Sequence, residues 1–268
     1  PSELSANAGT TGILGNRHAS GTAVIAEDGA EHVKTGWPIC YTSADSVLQI
    51  AAHEDHFGLE RLHKLCADLA PTLHAMKVGR VIARPFVGEV GNFTRTANRK
   101  DFAIATPAPT LCDYVHDAGR TVHAVGKIGD IFSMRGIDDL RKGRDAQLMN
   151  HINDLCEEAT DGSFIFANLV EFDSEYGHRR DPQGYARHIA WFDKELGALL
   201  PKLRHDDLLI VTADHGNAPT WSGTDHTRER VPVLVHGIGA KALGQLAFTD
   251  VAASIAAYLN VPYHGQGT

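Results

Sequence analysis

Apolar positions in the second half of the chain fall in short continuous runs: "VHAVGKI" (122–128), "SFIFANLVEF" (163–172), "DLLIVTAD" (207–214) and "VPVLVHG" (231–237). Between them lie stretches with helical spacing, notably 185–203 and 249–259. A strand that is apolar at every position is covered on both faces, so these runs predict a mostly parallel sheet with helices on each side. Earlier in the chain "PICYTSA" (38–44) and "GRVIARPFV" (79–87) read as strands. "GLERLHKLCADLAPTLHAM" (58–76) reads as an amphipathic helix interrupted at Pro71, whose ring and missing N–H oppose helical bonding. The seam is "ATPAPT" (105–110), where two prolines and small residues separate a smaller α/β unit from a larger one. The opening stretch, "PSELSANAGTTGILGN", has no clear strand or helix and no initiator Met, and reads as the interior of a domain.

Composition narrows the picture. With 268 residues, 43% of them hydrophobic, the chain can bury a proper core. A formal charge of −8 argues against a nucleic-acid or anionic-lipid footprint, while one local basic pocket for a phosphate stays possible. Cys40, Cys66, Cys112 and Cys156 form no C-x-x-C pair, which removes thiolate zinc and dithiol redox chemistry and suits a reducing, cytoplasmic compartment. No run has the apolar length of a membrane helix.

The polar clusters follow the apolar runs. "EFDSEYGHRRD" comes after 163–172 and "ADHGN" after 207–212, where the carboxyl ends of parallel strands gather functional loops. Asp173, His178, Asp214, His215 and His226 offer hard oxygen and borderline nitrogen, a mixture suited to Mn²⁺ or Zn²⁺. Adjacent Asp214 and His215 could face one ion if the chain turns at Gly216. The chain has 16 His, and Asp is an ordinary turn residue, so on spacing alone ligation and solvated turns both stand. Period-two alternation sets Arg80, Ile82 and Arg84 on one strand face, which suits either phosphate or plain solvent.

"YTSADSVLQIAAHE", "GRVIARPFVGEVGNFTRT", "FDSEYGHRRDPQGYA" and "TADHGNAPTWSGTDHTRERVPVL" together closely resemble the phosphopentomutase family of the alkaline phosphatase superfamily, from about Gly12 to the last residue. The resemblance implies an α/β fold: an alkaline-phosphatase-like core with a mostly parallel sheet and helices on both faces, plus a smaller α/β cap. It makes 1–106 the substrate-recognising cap and 107–268 the C-terminal part of the metal-binding core. It implies two divalent ions, Mn²⁺ foremost, one on Asp173, His178 and His226 and the other on Asp214 and His215, with Asp225 supporting His226. Ser43 and Asp45 would bind ribose hydroxyls, Arg80 and Arg95 phosphate, and Ile82 the sugar, with Arg84 on the same face. Lys127 would approach the metals, the alternative being a structural pair with Asp130.

The implied activity interconverts (deoxy)ribose 1-phosphate and (deoxy)ribose 5-phosphate through a phosphorylated Thr. No residue here matches that Thr or the family's N-terminal Asp ligand; Thr10 and Thr11 stand in the wrong surroundings. The expectation is therefore a cytoplasmic, monomeric protein that acts on small pentose phosphates and binds neither nucleic acid nor membrane. Taken alone, residues 1–268 are expected to be inactive, with exposed sheet edges. Alternatives are another metal-dependent phosphatase or phosphomutase of the superfamily, and a silent metal- or sugar-phosphate-binding fragment.

Overall fold

The computed structural model describes residues 2–42, 47–223 and 225–268. They divide into two compact units that meet in sequence at Ala105 and Thr106.

The first unit runs α1 (Ser2–Ala8), β1 (Leu14–His18), α2 (Gly21–Thr35), β2 (Ile39–Thr42), β3 (Val47–His53), α3 (Leu59–Ala75), β4 (Arg80–Glu89), β5 (Asn92–Arg95) and β6 (Lys100–Ala103). The opening residues therefore do form a helix and a strand, contrary to the reading of 1–16 as featureless. β1 is short and glycine-containing, so its pattern carries little signal, but it pairs in parallel with β2. The sheet order is β1-β2-β3-β4-β5, with β6 also on β4. Antiparallel β5 and β6 share β4 end to end, at 86–89 and 80–83.

Both faces of this mixed sheet are covered. Leu62, Leu65, Cys66 and Leu69 of α3 pack on Cys40, Ile50, Ala52, Val81 and Ala83. Val24 and Ile25 of α2 pack on Ile39, Tyr41, Ala51 and Phe86, the alternate positions of the same strands. Each such fully buried aliphatic side chain stabilises the fold by roughly 1.5–3 kcal/mol before entropy is counted. α2 is bounded by signals visible in sequence: Ser20 Oγ accepts from the Ala23 amide, and Gly36 closes the helix in the left-handed region. α3 is not interrupted at Pro71. Pro71 and Ala67, whose carbonyl loses its partner, both lie on the exposed face, where water can take the place of the missing bond while the buried stripe holds the axis.

The second unit runs α4 (Leu111–Asp117), β7 (Val122–Val125), α5 (Ile128–Ile131), β8 (Asp139–Arg141), α6 (Asp145–Glu158), β9 (Phe164–Ala167), α7 (Pro182–Leu199), β10 (Leu209–Thr212), β11 (Val233–His236) and α8 (Phe248–Tyr258). β8-β7-β9 is a parallel sheet, with α4 and α8 contributing to the core on one side and α6 on the other. β10 and β11 form a separate antiparallel pair, so the apolar runs do not build one continuous parallel sheet. Among the described residues β9 and β10 each have one edge with no strand partner. The strand expected at 163–172 stops at Ala167, and the chain turns there to present the first polar cluster.

At the carboxyl edge of the parallel sheet, the chains leaving β7 and β9 nearly touch. Gly126 has φ +86, and a Cβ placed on it would lie 2.4 Å from the Asn168 carbonyl oxygen. Only glycine fits there.

Candidate metal centre

Past β9 the chain winds into a single π-helical turn, Phe172–Gly177, whose i→i+5 bond runs from the His178 amide to the Asp173 carbonyl. Such turns are rare and concentrate at functional positions. This one starts from a built support. The Asp145 carboxylate, fully buried at the start of α6, accepts from the amides of Val170 (3.0 Å) and Glu171 (3.2 Å) and from His188 Nε2 (2.9 Å). His188, on α7, stacks on Trp191 and meets the edge of Phe172. Asp145, Glu171 and His188 lie close enough to suggest a second metal cluster, but the Asp145 oxygens are already spent on protein donors, so the group reads as a brace.

The turn presents Asp173 and His178, and the loop after β10 brings in the rest. An isolated antiparallel bridge between Gly216 and Thr227 closes the loop at its base, with the Ala218 amide donating to Thr227 Oγ1 at 2.8 Å. His226 Nε2 then stands 3.4 Å from Asp173 Oδ1 and 3.2 Å from His178 Nε2, while His178 Nε2 is 3.4 Å from Asp173 Oδ2. The His215 ring stacks on His226 at 3.7 Å, and a His215 nitrogen lies within 4.8 Å of ligand atoms of Asp173 and His226. Asp214 Oδ2 stands 3.7 Å from His215 Nε2.

This donor set fits a divalent cation. With metal–ligand bonds of about 2.0–2.2 Å, tetrahedral ligands stand roughly 3.3–3.6 Å apart, and the three donors are already at 3.2–3.4 Å. Two imidazole nitrogens facing each other beside a carboxylate are poorly matched as a hydrogen-bonded group, whereas a cation satisfies all three at once.

Other expected residues are distributed unevenly. Arg84 and Arg95 line an open groove of about 600 Å³ with Thr22, Phe93, Thr96 and Arg99. Burial, reinforced by Arg99 and Arg95, lowers the Arg84 guanidinium below its ordinary value, and its Nε donates to Gln49. Arg80 is outside that lining and stands 3.9 Å from Asp101. Ile82 shares the strand face as expected but is 2% exposed, covered within the unit, and so offers little surface to a sugar. Ser43 and Asp45 lie outside the described residues. Lys127 follows β7 and is exposed, and its proposed structural partner Asp130 is instead held by Lys142 at 2.8 Å. Asp225 supports the loop through its carbonyl, which accepts from Arg180.

The Metalloenzyme superfamily profile matches residues 82–263. A phosphopentomutase of Methylorubrum extorquens (strain PA1) is 51% identical over 276 aligned positions, covering 100% of this chain and 68% of that protein. Another, from Chelativorans sp. (strain BNC1), is 52% identical and covers 100% and 68%.

The chain belongs to the phosphopentomutase family.

It is thus a chain of a metal-dependent enzyme family of the isomerase class, and it spans about two thirds of the length of these phosphopentomutases. A solved structure, the PH0037 protein from Pyrococcus horikoshii, shares the α/β fold with TM-score 0.51 at 14% identity, covering 75% of this chain and 66% of its own. No helix among the described residues is long and apolar enough to cross a membrane. Within this phosphopentomutase-family chain, sequence reading passed over Asp145, His188, Asn217 and Arg180. None has motif spacing, and they find one another only through the fold.

Proposed function

We propose that this chain carries the metal-dependent machinery for moving a phosphoryl group between the 1- and 5-positions of ribose or deoxyribose phosphate, in the cytoplasm and as a monomer. The observation that carries this reading is the convergence of Asp173, His178 and His226 beside His215 at the carboxyl edge of the sheet. Asp173, His178 and His226 hold one divalent ion, and Asp214 with His215 serves a second, Mn²⁺ being the best match to oxygen and nitrogen donors together. Bound there, such ions neutralise charge on the transferring phosphoryl group and align the attacking and leaving oxygens.

The protein's own residues supply orientation. Asn217 Nδ2 donates to Asp173 Oδ1 at 2.6 Å, fixing that carboxylate between the two imidazoles. In residues 1–105, which we read as the substrate-recognising cap, Arg84, Arg95 and Arg99 form a cationic groove that suits phosphate oxygens; by the family resemblance Arg80 also meets phosphate, and Ser43 and Asp45 bind the ribose hydroxyls. Lys127 sits at the same sheet edge as Asp173 and stabilises the negative charge of the bound phosphate.

Elemental analysis of dialysed protein tests the metal part: two ions per chain is the expected result, and none removes the reading. His226→Ala should empty the three-donor site, and an unchanged metal content would strike His226 from it.

A further inference from the structure

We infer that Arg180 is the positioning residue of the metal centre, locking the two ligand-bearing loops into one frame. The inference rests on the metal reading above.

Its guanidinium sits between the π turn and the 214–227 loop and donates to five oxygen atoms. Nη1 reaches Gly177 O at 2.9 Å, Asn217 Oδ1 at 2.6 Å and Ala218 O at 3.0 Å; Nη2 reaches Asp225 O at 2.6 Å; and Nε reaches Gly223 O. None of these acceptors is a carboxylate. The side chain is therefore used as a rigid fork of donors with fixed directions, which the single ammonium of lysine cannot copy.

Two of these bonds act directly on the metal donors. The Asp225 carbonyl immediately precedes His226, so holding it fixes the backbone from which that imidazole projects. The bond to Asn217 Oδ1 decides which way the Asn217 amide points. Arginine is donor-only, so the amide oxygen must face it and the NH₂ must face away, toward Asp173 Oδ1. Asn217 is 7% exposed and has no room to reorient freely. The relay Arg180, Asn217, Asp173 thus sets one donor of the cluster while the Asp225 bond sets another.

The backbone agrees. Arg180 has φ 54, a left-handed conformation that Gly or Asn would adopt at lower cost, so what the position gains from arginine is its side chain. Its neighbour Arg179 makes a surface pair with Glu175 at 2.8 Å and serves as the control.

The experiment compares wild type, Arg180→Lys, Asn217→Ala, the double variant and Arg179→Lys by Mn²⁺ titration and by hydrogen exchange of the metal-free protein. Arg180→Lys should weaken Mn²⁺ binding 10- to 100-fold, the scale for groups that orient metal ligands. Because Arg180 acts partly through Asn217, the double variant should lose less than the product of the two single losses. Arg179→Lys should bind as wild type. Equal affinity in Arg180→Lys, or fully multiplicative losses, would overturn the inference. Exchange at the Ala218 and Thr227 amides should quicken at least 10-fold in Arg180→Lys, with α6 and β7 unchanged. If wild type binds no Mn²⁺, the metal reading fails by itself, and the exchange result still decides whether Arg180 ties the loops: unchanged protection refutes it.

Discussion

The central strands of residues 1–105 are largely withdrawn from water: Ile39 of β2, Ile50 of β3, and Val81 and Phe86 of β4 are each 0% exposed, while β1, β5 and β6 at the margins are half-buried or exposed. In residues 106–268 only β7 reaches that level; β8 and β9 are half-buried throughout, β10 is half-buried up to exposed Thr212, and β11 alternates between half-buried and exposed. One unit is held by an apolar sandwich. The other, which carries the candidate metal donors, holds its loops largely with polar devices: the Asp145–His188 brace, the Arg180 fork and the Asn217 amide. Apolar burial gives stability without direction, whereas hydrogen bonds place atoms. A site that must hold charged donors at fixed distances needs the second kind.

Matched truncations should expose this difference most strongly. Ile50→Ala is expected to cost about 2–5 kcal/mol, the range for aliphatic deletions in a closed core. Ile210→Ala, at a half-buried position of β10, should cost less than half as much. Denaturant unfolding of both variants measures it, and equal losses would break the comparison. Next in size is metal linkage. Mn²⁺ at 100 times its dissociation constant should stabilise the unit that binds it by about 2.7 kcal/mol. Calorimetry should place that gain in residues 106–268, and His226→Ala should lose most of it.

Acid should separate the units in the other direction. His32 Nδ1 lies 2.7 Å from the Trp37 carbonyl while Nε2 accepts from the His53 amide at 2.9 Å, an arrangement that suits only the neutral ring. Burial accordingly pushes the His32 pKa below its ordinary 6.5. The unfolded chain then binds the proton more readily than the folded one, so stability contributed at neutral pH is lost as pH falls below about 6.5. His32→Gln should flatten that acid limb in unfolding measured from pH 7 to 5.

The smallest effect concerns thiols. Burial pushes Cys40 and Cys66 up to about 12 and Cys112 to about 11. Native protein at pH 8 should therefore be alkylated only at partly exposed Cys156. Because the unfolded thiols ionise near 9.0, stability should decline as pH rises above that value. Mass spectrometry of native and unfolded samples reads the labelling pattern.

Much of this molecule could be read from its sequence, and the exceptions have physical reasons. Long periodic elements such as α3 and α7, and the apolar runs of β7 and β10, announced themselves. β1, with a glycine and few apolar positions, did not, and the continuity of α3 through Pro71 was hidden because a proline's cost depends on which face it occupies. Asp173, His178, His215 and His226 were legible as residue types in clusters following strands. That His215 lies on the ring of His226 was not, since the Gly216–Thr227 bridge is a tertiary event. Asp145 and Arg180 carry no motif spacing that marks them in the sequence. Their roles are defined by partners 25 to 45 positions away.

The close approach at Gly126 bears on how this region tolerates change. With a carbonyl oxygen where a methyl group would go, the position admits a single amino acid. In a saturation library sorted for folded protein, survivors should return glycine at 126 almost without exception. Gly239, left-handed at φ +75 but with nothing within 4 Å of its added Cβ, should return asparagine and aspartate as well. Two glycines of similar backbone angle would then carry opposite mutational spectra, one set by torsion alone and the other by a neighbour's oxygen.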